Sequence, residues 1–170
     1  RCYDGTLLAS EFLSRDQGVT WESAGPKHLG SLGLHATGLN FAKGPDLLIG
    51  STGKPTGERS ATASAYRSTD GWHTVEEIEL RFDLGPHVPS MGEDGIVRVN
   101  TLNHQAIAMP DGSAVGMCYG YCDHDVVHTA IMYKGWEKYP HDFGIFKYSS
   151  WCLGSVDGGK TWHYRGCVPP

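Results

Sequence analysis

Long apolar runs are missing from this chain of 170 residues. No stretch of about 18 consecutive apolar residues occurs, which excludes a membrane-spanning helix. No amphipathic helical stretch is present either. Positive charge is neither abundant nor clustered: 14 Lys and Arg stand against 19 Asp and Glu, for a net charge of −5. The scattered basic residues exclude a nucleic-acid surface and leave neutral or charged glycans as partners. An initiator Met and a signal-peptide pattern are also missing. The chain opens at Arg1 in mid-pattern, and the expectation is that upstream sequence has been lost by processing, truncation or disorder. What the chain does have is 23 Gly and 9 Pro, a composition that suits a turn-rich all-β protein. Its length suits one domain.

The main positive signal is a repeat. The chain writes SRDQGVTW at 14–21, STDGWHTV at 68–75 and SVDGGKTW at 155–162. Each reads Ser-x-Asp-x-x-x-Thr followed by an aromatic or aliphatic residue. Self-similarity of this kind sets the architecture before any strand is assigned. Physically, each copy is a tight turn between two strands. The Asp carboxylate accepts backbone N–H bonds across the turn and the Ser hydroxyl supports it. Gly in fifth place supplies a positive φ in two of the three copies. Thr and Trp open the next strand, with the ring turned inward as a packing anchor. Ser14, Asp16, Trp21, Ser68, Asp70, Ser155, Asp157 and Trp162 are therefore structural residues, outside any active site. The pattern resembles the Asp box of sialidases and other BNR-repeat β-propellers.

A weaker repeat precedes each box: DGTLLAS at 4–10, GPDLLIGS at 44–51 and PDGSAVGMCYGY at 110–121. Each is a turn signal running into an apolar stretch, and reads as a hairpin into a strand. The unit is then strand, Pro/Asp/Gly turn, strand, variable loop, strand, box, strand, which is one four-stranded propeller blade. Strands are expected at 34–41, 46–51, 61–67 and 75–82, and again at 106–109, 113–121, 145–153 and 162–166. The divisions are a partial blade at 1–30, a blade at 31–83, a linker at 84–104, and a blade at 105–170 with a long loop at 122–144. The chain opens at the second or third strand of an earlier blade.

Propellers have roughly four to eight blades, and about three are visible here. The first is short: Asp4 to Asp16 spans 12 residues, against 24 from Asp46 to Asp70 and 46 from Asp111 to Asp157. The expectation is an incomplete part of a larger propeller, of about six blades as in sialidases. Either a second copy of the chain or the rest of a longer polypeptide completes the ring.

Antiparallel connectivity separates the loops into two sets. The first-to-second-strand turns and the box turns share one face, and they are short. The second-to-third-strand loops and the links between blades share the other. Long, irregular loops on a rigid scaffold are where binding and chemistry sit, which directs attention to 52–60, 83–104 and 122–144. The last reads CDHDVVHTAIMYKGWEKYPHDFG and gathers acids, imidazoles and aromatic rings. Carboxylates serve as general acid, base or nucleophile in glycoside hydrolysis, and rings stack on sugars.

The sialidase resemblance assigns roles within these segments. It implies an acid/base Asp in a loop after a second strand, where Asp123 and Asp125 both lie. It implies a Tyr nucleophile with a partnering Glu; no motif fixes them, and Tyr139 with Glu137 is the pair nearest to hand. It implies arginines that grip a substrate carboxylate in two places. Arg98 precedes a first strand, although it stands in Arg-Val-Asn where the family has Arg-Ile-Pro, and Arg59 lies in a second-to-third-strand loop. His124, Trp136 and Tyr121 complete a candidate sugar-binding set, with Trp136 and Tyr139 as platforms.

Asn103-His104-Gln105-Ala106 before an Asp-Gly turn is similar to another BNR-type group that includes polysaccharide lyases. That resemblance makes His104, Tyr119 and Tyr121 candidates for proton abstraction beside a uronate.

Five cysteines occur: Cys2, Cys118, Cys122, Cys152 and Cys167. Cys118 and Cys152 fall on neighbouring strands, as a disulfide or a reduced pair; a disulfide would fit an extracytoplasmic protein. The run Cys118, Cys122, His124, His128 has zinc-binding residue types without a zinc-site spacing, so no metal and no cofactor is assigned. The expected function is a sialidase-like glycoside hydrolase acting on sialylated or other acidic glycans. A non-catalytic propeller that binds glycan or protein, and a propeller polysaccharide lyase, are the alternatives.

Overall fold

Alternation of small or apolar residues with polar ones runs through SATASAYRS and its neighbours, and strands follow it. The computed structural model describes residues 2, 4–9, 12–23, 36–50, 53–86, 88, 102, 106–121 and 148–168. Among the described residues there are twelve strands and no helix.

The first three, β1 (Leu7–Ala9), β2 (Phe12–Ser14) and β3 (Glu22–Ser23), form an antiparallel sheet in that order. The next group is β4 (Thr37–Asn40), β5 (Asp46–Ile49), β6 (Lys54–Gly57), β7 (Ser60–Ser68) and β8 (Glu76–Asp83). The last is β9 (Ala106–Ala108), β10 (Ala114–Tyr121), β11 (Tyr148–Ser155) and β12 (Thr161–Val168). Strands β4-β5-β7-β8 form one four-stranded antiparallel meander and β9-β10-β11-β12 a second. All eight strands expected in these two units are present, at bounds shifted by a few residues.

Two features were not expected. The meanders are joined by a parallel pairing of β8 with β12, in which Thr161, Trp162 and His163 face Arg81, Phe82 and Asp83. Strands β4 and β9 also lie against each other, and the Thr37 hydroxyl donates to the Leu102 carbonyl at 3.2 Å. The sheet therefore turns back on itself almost as a barrel does. Secondly, 52–60 is not wholly a loop, because β6 pairs with the start of β7. The reason is an unfilled edge. Strand β5 follows β7 only from Ser68 to Ala65, so the backbone of Ser60 to Thr62 on that side is left for β6, as unpaired strand edges require a partner.

Period-two alternation sends successive β7 side chains to opposite faces. Ala61, Ala63 and Ala65 join Leu39, Leu47, Ile49, Leu80 and Phe82 in the larger core, which the second meander completes with Trp151, Leu153 and Trp162. On the other face Tyr66 and Leu48 meet Leu8 and Leu13 of the first sheet, with Trp72 and Cys2 between them. The order of layers is first sheet, first meander, second meander.

Candidate functional site

The three boxes share one hydrogen-bond skeleton. In each, the Ser hydroxyl donates to an Asp oxygen at 2.8–2.9 Å: Ser14 to Asp16, Ser68 to Asp70, Ser155 to Asp157. The same hydroxyl oxygen accepts the N–H of the fifth box residue, from Gly18, Trp72 and Gly159 at 2.7, 2.9 and 3.0 Å. The Asp then accepts the amide of the box Thr at 2.8–2.9 Å, from Thr20, Thr74 and Thr161. The hydroxyls of Thr20 and Thr74 add second bonds at 2.5 and 2.7 Å. Bonds to the charged form favour it. Those from the Thr20 hydroxyl pull Asp16 down to about 2, and those from the Thr74 amide do the same for Asp70. Asp157 is lowered by its Thr161 and Ser155 bonds in spite of the opposing effect of burial. Carboxylates held ionised and bonded by their own turn are clips rather than acids or bases.

The middle box departs from the other two. Its fourth and fifth residues, like theirs, have positive φ: Gln17 and Gly18, Gly71 and Trp72, Gly158 and Gly159. Trp72 thus takes the left-handed place that glycine fills elsewhere, at φ 67°. Its indole N–H donates to Cys2 Sγ at 3.1 Å, and burial pushes that thiol up to about 11. In the outer boxes the Trp stands three places later and its N–H donates to the carbonyl of the glycine, Trp21 to Gly18 at 3.1 Å and Trp162 to Gly159 at 2.9 Å. Trp162 is buried and stacked on Phe82, with ring centroids 6.3 Å apart. Trp21 is not the inward anchor expected, being 46 % exposed. The cause is position in the stack. Trp162 faces the first meander, whereas Trp21 has no equivalent layer among the described residues.

Because β8 and β12 run the same way, both meanders turn their boxes in one direction and their remaining strand ends in the other. The second meander is staggered, so that the Lys160 carbonyl accepts the Arg81 amide at 3.0 Å. At the end away from the boxes, β10 stops at Tyr121 and β11 begins opposite it at Tyr148. Arg59 lies at that end too, in the turn between β6 and β7. Its carbonyl accepts the Leu84 amide at 2.9 Å, which holds this turn beside the chain leaving β8. Its guanidinium stands 3.3 Å from Glu58 Oε1.

Of the expected site residues, Arg59 is thus placed, and Tyr121 is placed by its backbone pairing. Arg98, His104, Asp123, His124, Asp125, Trp136, Glu137 and Tyr139 lie outside the described residues. So do Cys122 and His128 of the zinc-type run. Among the described residues no three His, Cys, Asp or Glu side chains gather as metal ligands. Cys118 and Cys152 are free thiols. The register sets Cys118 against Trp151 and Cys152 against Met117, so the two cysteines point to opposite faces and cannot be bridged. Burial, with Cys152 adding to it, pushes the Cys118 thiol up to about 12.

Sequence reasoning missed one concavity, an open groove of about 490 Å³ between β8 and the third box. Arg67, Glu76, Glu79, Arg81, Asp157 and Lys160 are among its walls. Arg67 is already bonded to Glu76 at 2.9 Å, and Asp157 belongs to its turn. No local signal could have revealed it, since its walls come together only through the β8–β12 pairing. No protein-family model matches the chain, and no curated protein matches it.

Proposed function

We propose that this chain is part of an Asp-box β-propeller, with the two meanders as blades, that acts on acidic glycans at the end opposite its boxes. The observation that carries the reading is the triplicated turn. Three boxes with the same Ser, Asp and Thr bonds, set between the last two strands of each unit, are the feature that resembles the sialidase group. Engagement of all three box carboxylates by their own turns favours the other end as the ligand face. There the segments rich in acids, imidazoles and rings leave and re-enter the sheet. In this reading Asp123 or Asp125 is the acid/base, Arg98 and Arg59 bind the substrate carboxylate, and Trp136 and Tyr139 carry the sugar.

Release of fluorophore from an aryl sialoside is the test, with loss of turnover in Asp123→Asn and Asp125→Asn. Silence of the wild-type chain across a panel of aryl glycosides would sink the hydrolase reading. The alternative is a binding-only propeller, because the box motif is structural and does not itself require catalysis. Glycan-array binding without turnover would select that reading. Fold alone does not decide between them.

A further inference from the structure

The layers stack head to tail, and each interface uses the same two faces. Register makes the equivalence exact to the residue. The β4–β5 turn closes with the Phe41 amide donating to the Pro45 carbonyl and the Gly44 amide to the Phe41 carbonyl. The β9–β10 turn closes the same way, Met109 to Ser113 and Gly112 to Met109. Pairing of Leu39 with Leu47, and of Ile107 with Val115, then aligns Leu39, Phe41 and Leu47 with Ile107, Met109 and Val115. The first three are buried at 1, 4 and 2 % exposure, covered by the second meander. A Cβ on Gly159 of the third box would touch all three. Their equivalents on the second meander are 68, 44 and 41 % exposed. They are aliphatic, and nothing among the described residues covers them.

The opposite end of the stack shows the complementary surface. Counting back from the box Ser and forward to its Trp, Leu153 and Trp162 correspond to Phe12 and Trp21. Leu153 and Trp162 are fully buried in the first meander's face, while Phe12 and Trp21 are 45 and 46 % exposed. One chain therefore carries both halves of the kind of interface that already joins its own layers. Such a contact is heterologous, joining different patches of two partners.

We propose that the Ile107–Met109–Val115 face binds the Phe12–Trp21 face of a second copy of this chain, repeating the packing of the second meander on the first. Exposed apolar patches that match an internal interface are docking surfaces rather than ordinary surface. The inference stands on face equivalence alone and does not need the glycan reading. Sedimentation of the full chain across the micromolar range tests it, with Trp21→Asp and Ile107→Asp as variants at exposed positions and circular dichroism to verify their folding. Wild type associates, and each variant alone weakens association at least about tenfold. Mixing the two restores one intact contact, so a one-to-one complex reappears. A wild-type chain that stays monomeric throughout, or variants that associate as wild type does, would overturn the proposal. So would a mixture that fails to recombine, since a two-fold contact between identical patches behaves that way. Exclusive pairing with a different Asp-box polypeptide would overturn it as well.

Discussion

Trp72→Gly sets two opposing terms of the middle box against each other. The left-handed backbone at φ 67° costs a side-chain-bearing residue about 1–2 kcal/mol, which glycine recovers. Truncating a buried Trp costs about 3–5 kcal/mol, and Trp72 is 2 % exposed between the first sheet and the first meander. Burial wins, and the expected net loss is roughly 1–4 kcal/mol. Urea unfolding followed by circular dichroism reads it. A second readout is local, because Cys2 shares the cluster and its thiol, pushed up to about 11 by burial, should react faster with a disulfide reagent once the ring is gone. Gln17→Gly isolates the backbone term: φ is 63° and the side chain is exposed, so about 1 kcal/mol of stability should be gained. An unchanged or raised midpoint for Trp72→Gly, with Cys2 still slow, would refute the ring as an anchor between layers. A destabilised Gln17→Gly would refute the strain argument.

Two further outcomes are expected of the box skeleton. Ser155→Ala leaves the buried Gly159 amide without its 3.0 Å acceptor and should lower stability by about 1–3 kcal/mol in calorimetry; a neutral result would mean that water replaces the hydroxyl. Because Asp16 and Asp70 are pulled down to about 2, the stability they supply is complete above about pH 4 and is lost as pH falls toward 2. Acid titration by tryptophan fluorescence should show this loss, and Asp16→Asn with Asp70→Asn should flatten it.

Much of the fold was legible because its signals are local. Ser155, Asp157 and Thr161 lie within one turn, so their bonds follow from spacing alone. The strand pattern of Ser60 to Ser68 follows from alternation. The pairing of β8 with β12 was not legible, since it joins segments whose sequences carry no mark of each other. Trp21 shows the same limit: its box is as regular as that of Trp162, yet exposure depends on which layer happens to lie alongside. Trp72 was not legible for a different reason. Nothing in its box shows that a ring in the fifth place packs at the other interface and takes the left-handed backbone. For the site, loop position was legible and placed Arg59 at the end away from the boxes. Its tie to Glu58 was not, because an adjacent acid in sequence need not point the same way.

The seam between the meanders has a consequence for how the molecule assembles. Each antiparallel unit is made of neighbours along the chain, but Thr161 pairs with Arg81 across 161 − 81 = 80 residues. Closing so long a loop carries an entropic cost that grows with its length, and contacts of high sequence separation slow folding. The hairpins form first on this account, and the seam is the last part to join and the first to part. Its amides, such as that of Arg81, should exchange with solvent sooner than those inside β7 or β11. The β8–β12 junction is then the natural line along which two separately formed halves come together.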